Sequence, residues 1–326
     1  MGAIQSPFLA LKHVEGLAEE QPVFFSVTER KAIDNCGVAG DLTPNSSWAT
    51  PQGWALIGDA VSSTTYLLDP HSHDRRIIPL PHLPQDGLPT NCNCLLSDYP
   101  AAAAAADPPD AQPSSSCLVL LLEPEAPMLW YCTIGGDSWV NHEYDIGTQD
   151  LPDLGEGCFE KLTICTISAC QGKFYFNGDF EEIGVLEFCP TPVISFITIH
   201  DPIPSPFGFQ KVFLVESEQE LYMVSLLSHS NPDIVYRFHV HKMDFSSQEW
   251  REVNDIGGRV FLLAWWYFGA SRSAEECSLE RNCIYVPYQW NRSLKVFNVR
   301  DGTEKAHDLD EAPVARQALW MLPTHP

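Results

Sequence analysis

His239 and His241 stand one residue apart in "FHVHKM" and would project from one face of a strand, where two imidazoles could touch the same metal ion. No third ligand can be picked out beside them, so the pair reads as structural or solvated. "HSHD", from His71 to Asp74, lies between turn-forming residues and reads as turn chemistry. The 11 cysteines include Cys92 with Cys94, Cys165 with Cys170, and Cys277 with Cys283, but none of these makes the two-knuckle spacing of a structural zinc site. Cys283 falls in an apolar run, where burial raises a thiol pKa instead of producing a nucleophile. There is no nucleophile elbow, phosphate-binding glycine loop or dinucleotide fingerprint. The 43 acidic residues could supply a carboxylate pair for glycoside hydrolysis, yet abundance is not placement. No catalytic residue, no metal and no cofactor is therefore assigned.

The remaining candidate surface is aromatic. Trp265, Trp266 and Tyr267 are followed by Arg272, and Trp290 lies in the next turn between strands. Trp, Tyr and Arg are the residues most enriched at the centres of protein interfaces. Strand alternation would bury only one of Trp265 and Trp266 and leave the other to be covered by the loop or by a partner. These five residues are the candidate binding site.

The elements that must position them are strands. Segments such as "GWALIGD", "CLVLLLE", "GKFYFNG" and "QKVFLVES" are short, rich in β-branched and aromatic residues, and bounded by Gly, Pro, Asn, Asp or Ser, while no long helical period appears. The 326 residues carry 44% hydrophobic content, enough for a sizeable core, and a formal charge of −24 with no Lys/Arg-rich run. That balance argues against a nucleic-acid partner. The apolar runs are too short to span a bilayer, and no signal or transit segment is visible, so a cytoplasmic or nuclear protein is expected.

The strands fall into five groups of three or four. A meander of that size cannot bury its own faces and needs neighbours of the same kind, which radial repetition supplies. Units of about 45 to 65 residues, each a small antiparallel sheet, are the signature of β-propeller blades. A ring must also close, because closure alone removes its exposed edges. "PFLALKHV" and "QPVFFSV" near the start and "ARQALWML" near the end remain to make a sixth blade. The expectation is an all-β, single-domain propeller of six blades, with five or seven as the alternatives. A Pro- and Ser-rich insertion at about residues 97–116 reads as a disordered loop between blades. Trp265 to Asn282 reads as an aromatic loop inside the last blade.

"GGDSWVNHEYDIGT", "ACQGKFYFNGDFEEIGVLEF" and, most specifically, "GASRSAEECSLERNCIYVPYQWNRSLKVFNVRDGT" resemble the plant F-box/kelch-like β-propeller family known as domain of unknown function two-nine-five, of the brassinosteroid kinase-inhibitor type. The resemblance runs from about Pro22 onward. It implies a target-binding module of a ubiquitin-ligase receptor. Only about 20 residues precede "PVFFSV", too few for the three-helix F-box of typical members, so direct binding of a Skp-type adaptor is not expected. The resulting expectation is a non-enzymatic protein-interaction propeller with an unidentified protein target. The alternative, from another class, is a propeller hydrolase acting on glycosides or esters.

Overall fold

Apolar residues that recur at every second position, or fill short runs between turns, fold here into six sheets arranged in a ring, a six-bladed β-propeller. The computed structural model describes residues 6–14, 22–33, 41–43, 46–59, 61–72, 74–85, 87–100, 117–151, 157–177, 181–200, 209–229, 231 and 234–324. Residues 101–116, most of the insertion read as a disordered loop, lie outside the described residues. Ser97–Pro100, its beginning, are described.

Blade 1 joins the two ends of the chain. Ala315–Met321 is its innermost strand, followed outward by Phe8–Val14, Val23–Ser26 and Lys31–Ala32, with Phe8 opposite Met321 and Leu11 opposite Ala318. This is the closure that the terminal strands predict. Both faces of the C-terminal strand are buried, because Ala318 and Trp320 on one side and Leu319 and Met321 on the other all lie in the core.

Blades 2 to 5 follow the simple meander, each starting at the axis and running outward. Their innermost strands are Ser47–Ala49, Asn93–Leu96, Ile167–Cys170 and Phe209–Ser217. The first two add a strand each to the groups of three seen in the sequence. Phe159–Lys161, by contrast, leaves the fourth blade and pairs with Thr148–Asp150 in a separate ribbon. In each blade the outermost strand is less buried than the one second from the axis: Leu118–Leu122 is buried throughout, whereas the outermost Val140–Glu143 is exposed throughout. The apolar core lies between neighbouring blades. One cluster joins blades 2 and 3 through Trp48, Leu56 and Val119, another joins blades 5 and 6 through Phe213, Phe261 and Trp265.

Blade 6 departs from the meander and corrects the reading of Trp265 to Asn282 as a loop. Arg259–Leu263 turns back into Gly269–Ser273, and this second strand takes the position at the axis. The short helix Ala274–Cys277, capped by the Ser273 hydroxyl, then carries the chain over to Cys283–Tyr288, which pairs parallel to Arg259–Leu263. The blade thus has five strands. Small residues make the inner strand possible, since a Cβ on Gly269 would collide with the Val215 side chain of blade 5.

Candidate functional site

The six innermost strands run in the same direction around the axis, so their ends gather at one mouth and their starts at the other. The inserted hairpin of blade 6 supplies side chains to both.

At the mouth where the strands end, Arg272 is fully buried. Its Nε donates to the Pro323 carbonyl oxygen at 3.0 Å, Nη1 to that of Ser271 at 2.7 Å, and Nη2 to that of Pro51 at 2.9 Å. Pro323 and Pro51 follow the inner strands of blades 1 and 2, and Ser271 lies within that of blade 6. Tyr99, from the end of the blade 3 strand, and Glu216, from blade 5, also face the guanidinium. The guanidinium thus bonds to three blades near the ends of their inner strands, toward the axis of the ring. Burial raises the Glu216 carboxyl above its ordinary range, opposed by the Gln219 N–H and by Arg259 and Arg272. Gly53 has φ +91°, and a Cβ there would run into the Pro323 carbonyl, so the C-terminal segment passes this close to the blade 2 turn only over a glycine.

At the mouth where the strands start, the blade 6 turn crosses the axis. The Tyr267 N–H donates to the Ala264 carbonyl at 3.1 Å, and Trp266 takes a left-handed φ of +70°. That turn position ordinarily holds glycine. With its amide nitrogen toward the turn, Asn93 of the opposite blade donates to the carbonyls of Trp266 and Tyr267, each at 3.3 Å. Burial pushes the Tyr267 phenol well up, with Cys92 of blade 3 nearby.

The structure brings Trp265, Trp266, Tyr267 and Trp290 to this mouth and sets Arg272 at the other. Trp265 is buried, its ring 5.3 Å from Tyr288, 5.7 Å from Trp290 and 6.0 Å from Phe213. Trp266 is 64% exposed and Trp290 is half-buried. A turn, not strand alternation, separates the two tryptophans. Lys211 stands 4.5 Å from the Trp266 ring centroid, and burial lowers its pKa. Phe209, two residues earlier on the same strand face, is 63% exposed. Phe209 and Lys211 extend the aromatic surface and were not picked out from the sequence. Their signal was the alternation of "FQKVF" at the start of an inner strand.

The other candidate groups are placed as follows. His239 Nδ1 lies 2.7 Å from Glu252 Oε1, and His241 is buried, with its pKa lowered by that burial. Among the described residues no three metal-binding side chains gather. His71 sits in a turn with its Nε2 3.2 Å from the Met321 carbonyl. The Cys283 thiol is pushed up to about 11 by burial.

The model of the KIB1-4 β-propeller matches residues 24–307. The chain belongs to the KIB1-4 β-propeller family. No curated protein matches it. Among solved structures it is similar to a functionally unknown protein from Desulfotomaculum acetoxidans, with 11% identity over 97% of this chain and 99% of that chain and a TM-score of 0.42. It is also similar to a protein from Lactobacillus plantarum, with 11% identity over 95% and 82% and a TM-score of 0.45. A putative 6-phosphogluconolactonase from Bacteroides fragilis has 9% identity over 98% and 99%, with a TM-score of 0.32. No described helix of this KIB1-4 propeller is long and apolar enough to cross a membrane.

Proposed function

We propose that this propeller is a non-enzymatic protein-interaction module that holds its target at the axial mouth bearing Trp266, acting in the cytoplasm or nucleus. The observation that carries the reading is the state of Trp266, a large aromatic side chain held two-thirds exposed in a backbone conformation that glycine ordinarily occupies. Exposure wastes apolar burial, and a left-handed φ on a bulky residue costs about 1–2 kcal/mol, so folding by itself does not favour the residue there. A partner's surface would recover both, and Trp is the residue most enriched at interface centres. Phe209 and Lys211 widen the surface, while Trp265 and Trp290 back it from below. Trp265 and Tyr267 act in this reading by holding the turn, and Arg272 by closing the axis behind it. The family supports target binding in a ubiquitin-ligase setting.

The test is capture from plant extract with the wild-type chain and Trp266→Ala in parallel. The reading expects a protein target retained by the first and lost by the second, with both proteins equally folded by circular dichroism. Equal recovery by the two, or turnover of glycoside or ester substrates by the purified chain, would overturn it. Direct recovery of a Skp-type adaptor would overturn the expectation that the adaptor does not bind this chain itself.

A further inference from the structure

The outermost strand of each blade is a sheet edge, and five of the six are blunted. Blade 1 ends in the two residues Lys31–Ala32, and Ile77–Leu80 of blade 2 contains Pro79. Val140–Glu143 of blade 3 ends on an acid, while Glu249–Glu252 and Glu304–Asp308 of blades 5 and 6 are mostly charged. Shortness, proline and charge are the means by which sheet edges avoid pairing with other chains. Pro192–Thr198 of blade 4, "PVISFIT", lacks these devices. At seven residues it is the longest of the six, it has no charged residue, and its proline stands only at the first position.

The outer side of this strand is open. At the two ends of its ladder with Glu182–Phe188, the Ile199 N–H donates to the Glu181 carbonyl at 2.7 Å and the Cys189 N–H to the Thr191 carbonyl at 3.1 Å. Inward bonding therefore falls on Val193, Ser195 and Ile197, and Ile194, Phe196 and Thr198 turn both N–H and C=O outward. Among the described residues no strand pairs with that side and none of these outward groups meets a hydrogen-bond partner. The side chains are apolar on both faces. Ile194 packs against the cluster between blades 3 and 4 and Ile197 against that between blades 4 and 5, while Val193 is 50% and Phe196 46% exposed.

We propose that this edge pairs with the same edge of a second copy of the chain, antiparallel about a two-fold axis at Ser195. The strand is self-complementary about that middle residue. Pairing its whole length sets Ser195 opposite Ser195 of the second copy, Ile194 opposite Phe196, Val193 opposite Ile197 and Pro192 opposite Thr198. Outward groups then meet. Ile194 of one copy and Phe196 of the other exchange both bonds on each side of the axis, and the Thr198 N–H reaches the Pro192 carbonyl, so the missing proline N–H removes a bond only at the ends. Opposite side chains share a face of the joined sheet, and apolar meets apolar on both faces.

Charge selects the same occupant. A foreign segment drawn to a chain of formal charge −24 would be basic, and this strand offers it no acid; a second acidic copy approaches closely only along an element without acids. In the next strand Glu187 is engaged by Lys173. Glu182 lies opposite Thr198, so the Glu182 residues of the two copies stand at opposite ends of the pair. Contact through one strand per copy is small beside the about 1,200 Å² of stable complexes, which makes the dimer weak and concentration-dependent. The edge shares no residue with the Trp266 mouth and does not rest on that reading.

Sedimentation equilibrium of the full chain, at about 0.15 M salt to screen repulsion between acidic copies, should show a mass rising with concentration toward that of a dimer. Amide exchange at Ile194, Phe196 and Thr198 should slow over the same range. Ser195 is exposed, so a charge enters there without disturbing the core. Ser195→Glu and Ser195→Lys each set like charges face to face at the axis and should each weaken the dimer at least about tenfold, whereas an equimolar mixture of the two should restore it. Val61→Glu, which adds charge at a 98% exposed position of blade 2, should leave the dimer unchanged. A wild-type chain that stays monomeric, either Ser195 variant dimerising as tightly as wild type, a mixture no tighter than the single variants, or a dimer that leaves exchange at Phe196 unaltered would overturn the proposal.

Discussion

Arg272 donates from Nη2 to the carbonyl oxygen of Pro51 at 2.9 Å, a contact that spans 221 residues and fastens the last blade to the second across the first. The same guanidinium holds Pro323 of the closing strand, so one side chain ties three blades at the axis. Removing it leaves buried carbonyl oxygens without donors and a void at the centre of the ring. Arg272→Leu is expected to destabilise the fold by about 3 kcal/mol or more, measured by urea denaturation. Arg272→Lys should recover little of this, because a single ammonium cannot reproduce the fork that reaches carbonyls on different sides.

Leu11 pairs with Ala318, and Trp320 donates from Nε1 to the Leu263 carbonyl of blade 6 at 3.0 Å. The C-terminal strand therefore joins its own blade and the one before it. Deleting the chain from Val314 onward would expose both faces of the cleft it fills and open the ring at the axis. At about 25 cal/mol per Å² of apolar surface, several kcal/mol of burial is lost, comparable to the stability of many domains. The truncated protein should aggregate or melt far below the intact one, as read by light scattering and calorimetry; a monomer of unchanged melting temperature would refute the closure.

Lys12 is buried and donates from Nζ to the Ser47 carbonyl at 2.6 Å. Burial lowers its pKa from 10.5 to about 7. Between those values the unfolded chain binds a proton that the folded chain rejects. The Lys12 contribution to stability therefore rises as pH rises from about 7 toward 10, by up to about 1.4 kcal/mol per unit, and is flat below the folded value. Lys12→Met should abolish this slope and be the more stable protein near neutrality. Buried thiols act in the opposite direction above about pH 8.5, so the readout is the difference between the two proteins in denaturant titrations at successive pH values.

Trp266 has φ +70°, where a side chain strains the backbone and glycine does not. Alanine and glycine both remove the indole from Lys211, so the comparison between them isolates the backbone. Trp266→Gly should be more stable than Trp266→Ala by about 1 kcal/mol, the reverse of the usual order at a residue with negative φ. Both variants should lose the target at the axial mouth. Thermal denaturation of the pair, run beside target capture, checks the two effects separately.

The outer and middle strands were legible in the sequence because they follow local rules. "CLVLLLE" and "GKFYFNG" carry their own period and their own turns, as does the inner strand "QKVFLVES" of blade 5, and the unpaired apolar ends of the chain called for a closing blade. That one of Trp265 and Trp266 would be exposed was expected from strand alternation, but the two lie in a turn, and it is the turn that decides that Trp266 is the exposed one. The innermost strands were harder to read. Gly269–Ser273, "GASRS", has little strand propensity of its own, and it becomes a strand because the narrow axis admits only small residues beside Leu214 and Val215. Arg272 and Tyr99 are the sharpest cases. In sequence, an arginine after three aromatic residues suits an interface, and a tyrosine before an alanine run suits a loose loop. Only the convergence of strand ends from separate blades decides that Arg272 finds three carbonyl acceptors in the interior, and that Tyr99 stands against it. Hydrogen-bond partners 51 and 221 residues away leave no local periodicity, so tertiary structure alone selects them.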